Sequence, residues 1–127
     1  MESVAYLDTH LVVWLFAGKT ELLTDTVRAS IDNNNLRISP MVVLELQYLQ
    51  EIGRVSASPE NILSELQSSV GLQVCELPFQ EVIKQAVPLN WTRDPFDRII
   101  VAQATTAGAD LLTRDKTVHT HFARAVW

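Results

Sequence analysis

The chain has 127 residues, 47% of them hydrophobic, and a formal net charge of −5. This length and composition suit one domain over residues 1–127 with a single core, and they exclude a low-complexity or repeat protein. The acid excess excludes a protein that holds nucleic acid by surface charge alone.

Ser3 to Leu7 (SVAYL) predicts a short buried strand ending at Asp8. His10 to Ala17 predicts a helix closed by Gly18. Its apolar stretch, Leu11 to Ala17, is too short to span a bilayer. No basic segment precedes it, so neither a membrane span nor a signal peptide is expected. Thr24 caps a second helix that runs to about Asp32, where Asn33, Asn34 and Asn35 break it. Leu36 to Ser39 predicts a second strand. Ser39 then caps a helix opened by Pro40 and ended by Gly53. Ser58-Pro59-Glu60 repeats that signal for a helix reaching about Val70.

Leu72 to Leu77 predicts a third strand, and it carries the only cysteine, Cys75. One thiol cannot form an internal disulfide, which fits a reducing, cytoplasmic setting, and an apolar neighbourhood suits a buried structural role. Pro78 and Phe79 lead into a helix stopped by Pro88. Asp94-Pro95 opens another, through Ala107 to Gly108. Asp110 to Thr113 predicts a fourth strand, and Ala125 to Trp127 a short fifth. Apolar strands alternating with helices predict an α/β domain, an α/β/α sandwich around a mostly parallel sheet of four to five strands. Ligands of such sheets bind beyond the carboxyl ends of the strands. Asp8 and Asp115 follow two of those ends.

The carboxylates carry the chemistry. Asp8 follows a buried strand, as a helix cap, a ligand or both. Glu45 lies beside the apolar stripe of Val42, Leu46 and Leu49, where a carboxylate is costly unless paired or metal-bound. In the D-P-F-D unit, Asp94 reads best as the cap, with Asp97 in the first turn arranged like the far half of a reciprocal capping box. Asp115 follows Thr113 and Arg114 as a turn residue or a ligand. Clustered carboxylates repel one another and raise each other's pKa, so such a cluster calls for a cation. Hard dications, Mg²⁺ or Mn²⁺, prefer these oxygen donors. Thr9, Ser39 and Thr113 adjoin the acids and could orient them, although Thr9 and Ser39 also suit helix caps. Arg93, Arg98, Arg114 and Lys116 could hold phosphates or be solvated surface charge.

Four segments in this order resemble the PIN-domain ribonucleases, and in particular the VapC-like toxins of toxin–antitoxin pairs: YLDTHLVVWLF, ISPMVVLELQYL, RDPFDRIIVAQA and LLTRDK. The resemblance implies a PIN-like fold and a Mg²⁺- or Mn²⁺-dependent endoribonuclease. Its metal and catalytic residues would be Asp8, Glu45, Asp97 and Asp115. It also implies a homodimer and a cognate VapB-like antitoxin whose C-terminal segment enters the active-site groove. Thr92 stands where related motifs often have histidine. His119 and His121 read as surface residues that could also reach RNA.

The expected reaction is in-line attack by a metal-activated water, with Glu45 or Asp97 taking its proton and a 5′-phosphate left as product. Two other classes fit less well. A haloacid dehalogenase-type phosphatase needs an aspartate where His10 stands, and a receiver-type phosphotransfer domain has only Lys116 as a loose lysine match. A non-catalytic PIN-like binding module would show an eroded acidic set, and all four acids are present.

Overall fold

β1 (Val4–Leu7) is the middle strand of a five-stranded sheet in the order β3-β2-β1-β4-β5, and every pairing in it is parallel. The computed structural model describes residues 3–127. Its remaining elements are α1 (Thr9–Phe16), α2 (Asp25–Asn33), β2 (Asn35–Ile38), α3 (Pro40–Glu51), α4 (Pro59–Val70), β3 (Gln73–Val74), α5 (Phe79–Ala86), α6 (Pro95–Ala107), β4 (Asp110–Leu112), α7 (Lys116–His121) and β5 (Ala125–Val126). A single 3₁₀ turn at Thr20–Leu22 joins α1 to α2. The helices flank the sheet, giving the α/β/α sandwich that alternating apolar segments predict.

Chain order reverses around β1. Its register sets Tyr6 beside Arg37 of β2 on one side and Leu7 beside Leu112 of β4 on the other. A crevice opens at such a switch point, at the carboxyl ends of the strands that diverge from it. Leu7, Leu36, Ile38, Leu111 and Leu112 are fully buried along the sheet, and Leu11, Val12, Val42, Leu46 and Ile62 meet them from the helices. A smaller apolar cluster, Val82, Ala86 and Ala102, seats α5 on α6. Gly71 and Gly108 close α4 and α6 in the left-handed region, at φ of 72° and 63°, which glycine reaches without steric cost.

The cap-and-proline signals locate the helix starts accurately. Ser39, Ser58 and Asp94 each accept a hydrogen bond from a first-turn amide. The expected third strand, Leu72 to Leu77, is corrected to two residues, Gln73–Val74. Its partner β2 ends at Ile38 because Ser39 leaves the sheet to cap α3, so beyond the Cys75 N–H donating to the Ile38 carbonyl at 2.8 Å there is nothing left to pair with. The Cys75 thiol turns inward, where it accepts a hydrogen bond from the Tyr6 hydroxyl at 2.8 Å. α7 covers residues for which the sequence predicts no element; Asp115 caps it by accepting from the Val118 N–H at 3.0 Å. Among the described residues, no helix is long and apolar enough to cross a membrane.

Candidate active site

The carboxyl ends of β1 and β4 are joined by side chains as well as by the sheet. The Asp8 N–H donates to the Leu112 carbonyl at 3.1 Å, which sets Asp8 beside the end of β4. One oxygen of Asp8 caps α1 by accepting from the His10 N–H at 3.0 Å, and the other accepts from the Thr113 hydroxyl at 2.6 Å. Asp8 is therefore a cap and still part of the cleft, as its sequence position allows.

Thr9 is not a cap. It is the first residue of α1, wholly buried, and its hydroxyl donates to Oε1 of Glu45 on α3. Thr113 is also buried, and it links two acids. Its hydroxyl donates to Asp8 and accepts from the Asp115 N–H at 3.1 Å. Neither contact is visible in sequence, because the partners lie 36 and 105 positions apart.

Asp94 caps α6, with Oδ1 accepting from the N–H groups of Phe96 at 2.8 Å and Asp97 at 3.4 Å. The expected reciprocal box does not form. The Asp94 N–H donates to the Thr92 hydroxyl at 3.2 Å, which leaves the Asp97 side chain free to face the cleft. Among the described residues, the Asp97 carboxylate has no hydrogen-bond donor and no Lys or Arg paired with it.

The acids feel one another's charge. Burial, and then the negative charges of Asp94, Asp8, Asp115 and Glu45, push the Asp97 carboxyl up to about 7. Burial also raises Glu45, opposed by its hydrogen bond from Thr9 and reinforced by the charge of Asp8. Burial pushes Asp8 upward too, but hydrogen bonds from His10 and Thr113 outweigh it and hold Asp8 below the ordinary carboxylate range. His10, which the sequence does not single out as a site residue, lies 3.7 Å from Asp8. The pull of Asp8 holds its imidazole above the ordinary value against burial, helped by the charges of Glu45 and Asp97.

Two of the expected site residues make their contacts elsewhere. The Ser39 hydroxyl caps α3 and donates to Oε1 of Gln103 at 3.0 Å, away from the acids. The Arg98 guanidinium donates to the carbonyls of Ala86 at 3.0 Å and Val87 at 2.7 Å, where it closes the end of α5 and is not available to phosphate. Arg114 is exposed beside the cleft. Besides His10 with Asp8, the ion pairs of the described residues join Lys84 to Glu81 and Arg124 to Asp110, so no Lys or Arg neutralises Asp8, Glu45, Asp97 or Asp115.

The donor set is wholly oxygen, which suits a hard dication in chemistry and charge. As placed, however, no three His, Cys, Asp or Glu side chains among the described residues form a metal-holding group. Oε1 of Glu45 accepts from Thr9, and the two oxygens of Asp8 accept from Thr113 and the α1 amide, so these hydroxyls and the amide orient the carboxylates.

A PIN domain model matches residues 5–125. Ribonuclease VapC22 of Mycobacterium tuberculosis is 28% identical over 125 residues, spanning 94% of this chain and 92% of that protein. Among solved structures, VapBC2 from Rickettsia felis bound to a DNA fragment from its promoter superposes with a TM-score of 0.69 at 16% identity, covering 97% of this chain and 96% of that one. A toxin–antitoxin complex from Klebsiella pneumoniae gives 0.62 at 16% identity, with the same coverage. PAE2754 from Pyrobaculum aerophilum gives 0.59 at 23% identity, covering 99% of this chain and 90% of that one. At these identities the structures share a fold with this chain.

Proposed function

The chain belongs to the PIN-domain family, and from that premise we propose that it is a divalent-metal-dependent endoribonuclease, the toxin of a toxin–antitoxin pair. The observation that carries this reading is the meeting of carboxylates from separate elements at one switch point with no Lys or Arg paired to any of them. Acids so arranged repel one another, and a bound cation relieves that repulsion.

Asp8, Glu45 and Asp97 would hold the principal Mg²⁺ or Mn²⁺, with Asp115 completing the set. A dication there supplies charge neutralisation at the phosphate and acidifies the attacking water. The chain's own residues do the rest. Thr113 keeps Asp8 oriented and ionised. Glu45 or Asp97 would take the proton of the attacking water. In-line attack then leaves a 5′-phosphate and a 3′-hydroxyl. The likeness to Ribonuclease VapC22 supports RNA as substrate, and the toxin–antitoxin complexes among the structural neighbours support a VapB-like antitoxin. A homodimer in the cytoplasm completes this reading.

The test is RNA cleavage in Mg²⁺ or Mn²⁺, with EDTA and Asp8→Asn as controls. Cleavage should need both the ion and Asp8. Activity that survives EDTA and the substitution would reject the metal-nuclease reading.

A further inference from the structure

The rings of Trp91 and His121 stack nearly flat, with centroids 4.9 Å apart and planes 15° from parallel. They come from different elements, the loop before α6 and the last residue of α7, and both elements begin or end at the acidic cleft. Asp94, the cap of α6, follows Trp91 by three residues, a span of at most about 11 Å. Asp115, the cap of α7, precedes His121 by six residues of helix, about 9 Å. Trp91 is half-buried and packs against the core, whereas His121 is exposed. The stack is thus anchored on the Trp91 side, and His121 is its exposed member.

We propose that His121, laid flat on Trp91, is the outer leaf of a stacking platform for a nucleobase flanking the scissile phosphate, the juxtaposition that carries this being the Trp91–His121 stack between the loop into α6 and the end of α7. The inference rests on the reading of RNA as substrate. Aromatic faces beside a cationic path are how single strands are held without regard to sequence, because every base has a π-face. Arg93, Arg114 and Lys116 supply the cationic part. All three are exposed, lie next to the stack or the cleft in the chain, and pair with no carboxylate among the described residues. The acidic centre then engages the cleaved phosphate, and the platform fixes the neighbouring nucleotide so that the phosphate cannot slide past it.

Binding separates this platform from the nuclease reading. A labelled hexaadenylate RNA is titrated in Mg²⁺ with the wild-type protein, His121→Ala and His121→Phe, and strand integrity is followed in the same samples. His121→Ala should weaken binding by about fivefold or more, the lower end of what one base–aromatic stack contributes. His121→Phe should keep wild-type affinity. An abasic ribose-phosphate strand of the same length should bind all three proteins equally. Equal affinity of His121→Ala and wild type for hexaadenylate overturns the platform. So does a Phe variant as weak as the Ala variant, or a wild-type protein that binds the strand no better than the abasic one. Binding that depends on His121 upholds the platform whether or not the strand is cut, and the nuclease reading stands or falls separately on the EDTA and Asp8→Asn test.

Discussion

The Thr113 hydroxyl donates to Oδ2 of Asp8 at 2.6 Å and so ties the end of β4 to the end of β1 across 105 positions of sequence. The Thr113 hydroxyl oxygen in turn accepts from the Asp115 N–H, which lets one buried hydroxyl orient two acids of the cleft. Thr113→Val keeps the shape of the side chain and removes both contacts. Asp8 then loses one of the bonds that hold its pKa down, and one oxygen of a half-buried carboxylate is left without its donor. The expected cost is about 1–3 kcal/mol of stability. Metal affinity and activity should each fall by roughly 10–100-fold, as for other groups that orient ligands. Thr113→Ser should restore most of both. Titration calorimetry with Mn²⁺ and a urea melt check this, and a Val variant with wild-type metal affinity would show that Thr113 is structural alone.

A second prediction concerns pH. The folded state raises the Asp97 carboxyl from 3.8 to about 7, so between those values the native protein binds more protons than the unfolded chain. Stability of the metal-free protein should therefore fall as pH rises from about 4 through 7. Glu45 and His10, both raised, act in the same direction. Asp8 is lowered, and its contribution is lost only in more acidic solution, outside this window. Urea midpoints in EDTA at pH 5 and pH 8 should differ, with the lower value at pH 8. Asp97→Asn should flatten most of the difference. Asp94→Asn keeps an amide able to cap α6 while deleting the next largest cause after burial, and it should flatten the difference in part. A midpoint that is constant or rises over this range would refute the electrostatic account of the cleft.

The local parts of this architecture are legible in the sequence because local chemistry sets them. Ser39-Pro40, Ser58-Pro59 and Asp94-Pro95 mark helix starts through the cap hydrogen bond and the fixed φ of proline, and no tertiary partner is needed. What depends on a distant partner is not legible. Leu72 to Leu77 has strand composition throughout, but the length of β3 is set by where β2 turns away. The segment KTVHTH has neither length nor apolar periodicity to announce α7, which exists because Asp115 caps it and Val118 finds a buried seat. The four acids can be named from their motifs, yet the hydroxyls that hold two of them, Thr9 and Thr113, look like ordinary neighbours until α1 meets α3 and β1 meets β4.

Arg98 gives a third prediction because its position in the motif and its position in the fold suggest different roles. Beside Asp97 it looks placed for phosphate. In the structure its guanidinium donates to the Ala86 and Val87 carbonyls and closes α5. Arg98→Met preserves the packing stem and removes these donors. It should lower stability by about 1–2 kcal/mol while leaving kcat/KM for RNA, measured well below the melting temperature, within about twofold of wild type. A large loss of kcat/KM with no change in stability would place the guanidinium on substrate.

The last prediction is that the ion is also a folding ligand. The native cleft gathers acids that repel one another, and the unfolded chain disperses them, so a dication binds the native state far better. At a free concentration near a hundred times its Kd, Mg²⁺ or Mn²⁺ should add about 2.7 kcal/mol, which for a domain of this size raises Tm by roughly 10 °C. The ion should also suppress the fall in stability between pH 5 and 8, because it neutralises the charges that raise Asp97. Asp97→Asn should start with a higher Tm than wild type at pH 8 in EDTA, since it removes a carboxylate held against its neighbours. It should then gain much less from the ion. Thermal scans of the two proteins with and without Mn²⁺ separate these effects. An equal gain in both would mean that the ion binds somewhere other than beside Asp97.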